Sequence, residues 1–216
     1  MNKEDFFENI INAIISLDEK KAMDLAKKAI NDKMGLLEVI EKGFGVGIKK
    51  IGDLWEEGEI FLPELMLGGE IVEKSLNIML PHLEKQGGKR AGNKIVMATI
   101  EGDIHSIGKT IVATLLKANG FEVIDLGADV PASKIVETAI EEKADVIGIS
   151  ALLTTTMIGQ KKVIDILIEK NIRDQFKIIL GGAPVSKKWV NECGADGYAD
   201  NAIDAVELVK KITQEK

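Results

Sequence analysis

A single cysteine, Cys193, stands in 216 residues, so no internal disulfide can form and no Cys-rich metal site can be built. Aromatic residues make up only 4%, which leaves Ile, Leu, Val, Ala and Met to form the core. There are two histidines, and neither is accompanied by the spaced His or carboxylate partners of an ordinary metal site. No apolar run approaches the roughly 18 residues that span a bilayer. The acidic, helical opening Met1-Asn-Lys-Glu-Asp-Phe-Phe-Glu8 is unlike a signal peptide. Together these predict a cytoplasmic protein without a membrane partner. Positive charge is also in deficit: 28 Lys and Arg against 35 Asp and Glu give a net −7 and a pI near 5.1. A nucleic-acid partner would require a basic stripe instead.

What is present is a chain that can bury a real core, with 45% hydrophobic and 29% charged residues. Its length suits one large or two small domains, and its patterning changes once. Residues 1–86 read as helices only. Residues 87–93 are polar and glycine-rich, as in a linker. Residues 94–216 alternate strand, loop and helix.

In the first segment, Phe6, Phe7, Ile10, Ile11, Ile14 and Ile15 mark one amphipathic helix, and Ala22, Leu25, Ala26, Ala29 and Ile30 a second. Ser16 and Asp18 are candidate caps between them. A third helix is expected over Leu36 to Glu56, with Ile40, Phe44, Ile48, Ile51 and Trp55 along one face. Gly43, Gly45, Gly47 and Gly52 interrupt it, each costing about 1 kcal/mol relative to alanine. They imply the close approach of either a neighbouring helix or a large ligand. A turn then leads to Pro63, placed at the first position of a fourth helix. Four helices with short connections form a bundle.

In the last segment, strands are expected at 94–100, 122–126, 145–150, 177–181 and, briefly, 196–199. Five βα units of this size predict an α/β fold: a five-stranded, doubly wound parallel sheet of flavodoxin-like (Rossmann-type) order. Its loops gather at the carboxyl ends of the strands, where such sheets bind ligands. They are Glu101 to Gly108, Ser150 to Thr156, Gly181-Gly-Ala-Pro184 and Tyr198-Ala-Asp-Asn201.

The first loop is the most informative, because Asp103 precedes His105 by two residues. Gly108-Lys-Thr110 imitates the end of a phosphate-binding loop, but the spacing from Gly102 is one residue too long. The residue at the correct spacing is Asp103, which repels phosphate. An FMN-binding electron carrier leaves the Asp103–His105 pair without a task. A lone histidine can still be the axial ligand of a metal whose other positions are filled by a macrocycle. Asp103 would then bond Nδ1 and leave Nε2 to the metal. His82 reads as a solvent-facing helix end, Cys193 as packing, and Trp55 and Trp189 as packing.

Asp103-x-His105-x-x-Gly108, with Ser150-x-Leu152 and Gly181-Gly182, resembles the signature of the cobalamin-binding domain of methionine synthase and its relatives. Gly47 to Met66 resembles the helical cap module of that family. The whole chain is similar to the small corrinoid proteins of methylamine and betaine methyltransferase systems. Where many of those have an acidic residue, this chain has Ser106.

The resemblance implies cobalamin bound with His105 in place of its own lower base, Asp103 and Ser150 forming a relay behind it. It implies cofactor contacts from Gly102, Ile104, Ser106, Ile107, Gly108, Leu152, Thr154 and Tyr198, and a slot for the nucleotide tail along Ser150, Gly181 and Gly182. Phe61, Leu62 and Met66 of the cap would touch the upper face, with Gly87-Gly88 as hinge. It further implies cobalt cycling between Co(I) and methyl-Co(III), as methylcobalamin. The implied role is a methyl carrier without catalysis of its own, between a substrate:corrinoid methyltransferase and a corrinoid:acceptor methyltransferase using coenzyme M or tetrahydrofolate, with a reductive activator as a further partner. A cobalamin-dependent sensor or regulator and a mutase cobalamin subunit are the alternatives.

Overall fold

The computed structural model describes residues 3–84 and 93–214. The chain divides between Gln86 and Gly87 into two compact units. The expected linker 87–93 lies outside the described residues except for Asn93, and so does the Gly87-Gly88 hinge.

In the helical unit, α1 (Lys3–Ile15) buries Phe6, Phe7, Ile10, Ala13 and Ile14. The second helix, α2 (Glu19–Asn31), is capped by Asp18, whose carboxylate accepts the Lys21 N–H at 2.9 Å. Ser16 instead returns its hydroxyl to the Asn12 carbonyl of α1. The expected third helix is helical throughout but not uniform: α3 (Leu36–Val39) passes into a π-helical stretch, Ile40–Gly45, and then into α4 (Val46–Glu56).

Two of the four glycines of this stretch, Gly43 and Gly47, serve helix packing, whereas a Cβ on Gly52 would meet nothing within 4 Å. A Cβ on Gly43 would lie 2.9 Å from Ile10 Cδ1, and one on Gly47 2.3 Å from Ile14 Cδ1, both on α1. Gly68, on α5 (Leu62–Glu84), approaches Ile51 of α4 in the same way, at 2.5 Å. Helix α5 starts one residue before Pro63, and the Glu64 carboxylate accepts the Phe61 N–H at 2.8 Å to close its first turn. Trp55, expected to pack, is 44% exposed; Phe61, Leu62 and Met66 are exposed too, at 76%, 54% and 61%. His82 is exposed in the last turn of α5.

The second unit is built on a parallel sheet in the order β2-β1-β3-β4-β5. Its strands are β1 (Lys94–Thr99), β2 (Glu122–Asp125), β3 (Val146–Ser150), β4 (Lys177–Gly181) and the two-residue β5 (Gly197–Tyr198). The connecting helices are α6 (Ile107–Ala118), α7 (Ala132–Glu141), α8 (Thr154–Glu169), α9 (Lys187–Cys193) and α10 (Ala202–Gln214). Helices α7 and α8 pack together, as do α6 and α10. The central strands are near-continuous apolar runs because both their faces are covered. The register aligns Thr99, Ser150 and Gly181 across three adjacent strands, so their following loops leave from one edge.

Two side chains secure that edge. Gln160 of α8, fully buried, donates to the carbonyls of Ile149 and Gly181 at 3.0 Å each and accepts the Trp189 indole N–H at 2.9 Å. Trp189 therefore packs, as its sequence context suggests. Cys193 is buried and its thiol is pushed up to about 11 by that burial. Among the described residues, no helix is long and apolar enough to cross a membrane.

Candidate functional site

Strand β1 ends at Thr99, and the chain turns through Gly102, whose φ of +82° is a conformation glycine adopts freely. This turn directs the Asp103 carboxylate inward, where it is fully buried, and leaves the His105 ring 48% exposed. The buried Thr99 hydroxyl donates to the His105 carbonyl at 3.0 Å, fixing the histidine from below.

Every acceptor position on Asp103 is used. Oδ1 takes the His105 backbone N–H at 3.0 Å and lies 2.7 Å from His105 Nδ1. Oδ2 takes the Leu152 N–H at 2.7 Å, the Leu153 N–H at 3.3 Å and the Thr156 hydroxyl at 2.8 Å. Burial by itself would raise the Asp103 pKa, but the bonds from the backbone and ring of His105, from Leu152 and from Thr156 outweigh it and hold the group at about 2. At neutral pH Asp103 is therefore an acceptor only. Nδ1 of His105 must carry the proton, and the lone pair of Nε2 is the free one.

Ser150, expected as the third member of this relay, does not reach Asp103. The hydroxyl that does belongs to Thr156, in the first turn of α8. Asp103 leans across the loop after β3 onto the start of that helix, whereas Ser150 is still within the sheet. Leu152 contributes its backbone N–H and is itself 42% exposed, and Ile104 is 77% exposed. Thr154 opens α8, Ser106 sits at the start of α6 without a side-chain capping bond, and Ile107 and Gly108 begin that helix. Tyr198 lies half-buried in β5. The second hydroxyl and the buried cation of this region, Thr156 and Lys109, were absent from the expected site. Lys109 follows Gly108 as a phosphate-loop lysine would, but its side chain is 1% exposed and ion-paired to Asp125 at the end of β2.

Gly181, the last residue of β4, and Gly182, the first after it, differ. At Gly181 a Cβ would meet nothing within 4 Å, so this position is open. At Gly182, with φ +118°, a Cβ would stand 1.7 Å from the Ala151 carbonyl oxygen. Gly182 is therefore required by the protein's own backbone rather than by a ligand.

Among the described residues, no group of three or more His, Cys, Asp or Glu could hold a metal ion. A metal at Nε2 must bring most of its ligands with it, and this fits a corrin ring.

Two models of a B12 binding domain match the chain, over residues 93–207 and 7–79. A corrinoid protein of Desulfitobacterium hafniense (strain Y51) is 46% identical over 95% of this chain and 96% of its own length. The chain belongs to the B12-binding corrinoid proteins. Its cofactor is a corrinoid. Among other corrinoid proteins, a dimethylamine and a trimethylamine protein of Methanosarcina acetivorans are 40% and 41% identical, over 98% of this chain and 97% and 98% of theirs. The solved monomethylamine corrinoid protein of Methanosarcina barkeri superposes with a TM-score of 0.91 at 38% identity, covering 98% of this chain and all of that one. A chain of the methanol:cobalamin methyltransferase complex of M. barkeri matches with a TM-score of 0.55 at 30% identity, over 100% of this chain and 82% of that one.

Proposed function

We propose that this corrinoid protein is a methyl carrier. It would receive a methyl group from a substrate-specific methyltransferase and present it to a second methyltransferase that passes it to a thiol or pterin. The observation that carries the reading is the buried, fully bonded Asp103 behind a half-exposed His105. When bound, the corrinoid supplies a cobalt able to take up and release a methyl group.

The residues have separate tasks. Nε2 of His105 would hold the metal of the corrinoid, while Asp103 keeps the proton on Nδ1 and fixes the ring plane. Thr156 of α8 and the Leu152 N–H of the preceding loop hold Asp103 in place. Ile104 and Leu152 offer apolar surface beside the ligand atom, and the open position at Gly181 leaves room for the nucleotide tail. Phe61, Leu62 and Met66 offer apolar surface from the helical unit.

The methyl donor is a methylamine or a chemically similar compound, in keeping with corrinoid proteins named for dimethylamine and trimethylamine at nearly equal identity. That near equality is in keeping with a donor selected by the partner methyltransferase. Electron paramagnetic resonance of the protein loaded with cobalamin and reduced to Co(II) tests the site. Nitrogen coupling is expected in the wild type and lost in His105→Ala. Failure to bind corrinoid, or coupling that survives the substitution, would sink the reading.

A further inference from the structure

The loop that carries His105 is also gripped from a side the relay does not use. Residues 126–130, which follow β2, run alongside it. The Asp129 carboxylate accepts the Gly102 N–H at 2.7 Å, and the Asp129 N–H donates to the Asp103 carbonyl at 3.0 Å. Asp129 thus holds the backbone at two points, one on each side of the Asp103 side chain.

Its own base is firm. Leu126 N–H bonds to the Met97 carbonyl at 2.8 Å, Thr99 N–H to the Gly127 carbonyl at 2.9 Å, and Val130 N–H to the Thr99 carbonyl at 3.1 Å. Asp125 at the root of the loop accepts the Gly127 N–H at 2.9 Å and pairs with buried Lys109. Asp129 is held at φ +56°, a left-handed conformation that a residue with a Cβ adopts at a cost and glycine adopts freely. A strained residue persists where its surroundings over-determine it, and such residues collect at functional sites. The Asp129 carboxylate bonds to the Gly102 N–H and so acts on the peptide that aims His105.

We infer that Asp129 is a positioning residue for the axial histidine. It fixes the backbone of Gly102 and Asp103, so that the Asp103 carboxylate meets both His105 and α8 and Nε2 points at the cofactor. The inference rests on the corrinoid reading of His105. It adds a residue whose side chain bonds only to backbone.

Two substitutions separate aim from folding. Asp129→Gly keeps the left-handed turn without strain and deletes the carboxylate. Asp129→Asn keeps both the turn and an oxygen acceptor for the Gly102 N–H. Each full-length protein is loaded with cobalamin and examined as Co(II) by electron paramagnetic resonance, with affinity from a cobalamin titration. Partners one step behind a metal ligand change affinity by about 10- to 100-fold when removed. Asp129→Gly is expected to lose nitrogen coupling in most molecules and to bind in that weaker range, with its melting temperature within a few degrees of wild type. Asp129→Asn should retain coupling and affinity. Intact coupling and affinity in Asp129→Gly overturn the inference, as do equal losses in both variants or losses that accompany a collapsed melting temperature. A wild type without coupling instead overturns the His105 reading, and this inference with it.

Discussion

Replacing Gly182 with alanine should destabilise the α/β unit strongly, whereas the same change at Gly181 should not. At Gly182 the new Cβ would lie 1.7 Å from the Ala151 carbonyl oxygen, and φ is +118°. The obstacle is backbone, held in place because the Ala151 N–H bonds to the Gly181 carbonyl at 3.0 Å and buried Gln160 bonds that same carbonyl. Side-chain rotation cannot relieve the clash, so the loops after β3 and β4 must separate. Overpacking of this kind costs about 1–3 kcal/mol, and a non-glycine residue in that region of backbone space adds about 1–3 kcal/mol. A total near 3 kcal/mol corresponds to a fall of roughly 10 °C for a domain of this size. Alanine at Gly181 meets open space and should shift the transition by no more than about 2 °C, since substitutions without such a contact stay within about 0.5 kcal/mol. Trp189 reports on this edge through its bond to Gln160, and a Trp55→Phe background leaves it as the one tryptophan. Thermal unfolding followed by its fluorescence decides the matter. If the two alanine variants melt together, the close approach of the two loops is not as described.

Two further outcomes follow from the same carboxylate. Because the folded Asp103 titrates at about 2, below its ordinary value near 3.8, it contributes stability above pH 4 that is lost as pH falls from about 4 to 2. The full contribution is roughly 2 kcal/mol, of which about 1 kcal/mol is lost between pH 6 and pH 3; urea titrations of the apoprotein at those two pH values should show that part of the loss absent in Asp103→Asn. Thr156→Val deletes the hydroxyl donor on Oδ2 and should cost about 1–3 kcal/mol, with a smaller pH-dependent loss of stability that is complete at a higher pH than in wild type. Ser150→Ala, by contrast, should leave that pH profile unchanged.

The sheet was legible from its rhythm, since five apolar runs separated by helical patterns permit few arrangements, and β2-β1-β3-β4-β5 is among them. Asp103 and His105 were legible because a rare residue type and its carboxylate lie at the end of the first strand. Thr156 was obscured by standing third in a run of three threonines. Only the start of α8, where the Leu152 N–H and that hydroxyl converge on Oδ2, distinguishes it. Asp129 left no sequence signal, because its partners are backbone atoms and any residue type supplies those. Lys109 stands where a phosphate-loop lysine would, a reading the spacing from Gly102 already excluded, and its charge is taken up by Asp125. The π-helical stretch was unreadable as well: the apolar spacing over Leu36 to Glu56 suits a regular helix, and the wider turn emerges only in packing against α1.

The separation of Asp103 from its partners along the chain bears on biosynthesis. Leu152 and Thr156 lie 49 and 53 residues beyond it. A nascent chain that has emerged only through β1 and β2 already displays His105 beside Asp103, but the Leu152 N–H and Thr156 hydroxyl that hold Asp103 Oδ2 are not yet in place. The carboxylate behind the histidine is fully held only after β3 has paired with β1 and α8 has begun, so the aim of the candidate ligand is tied to assembly of the centre of the sheet.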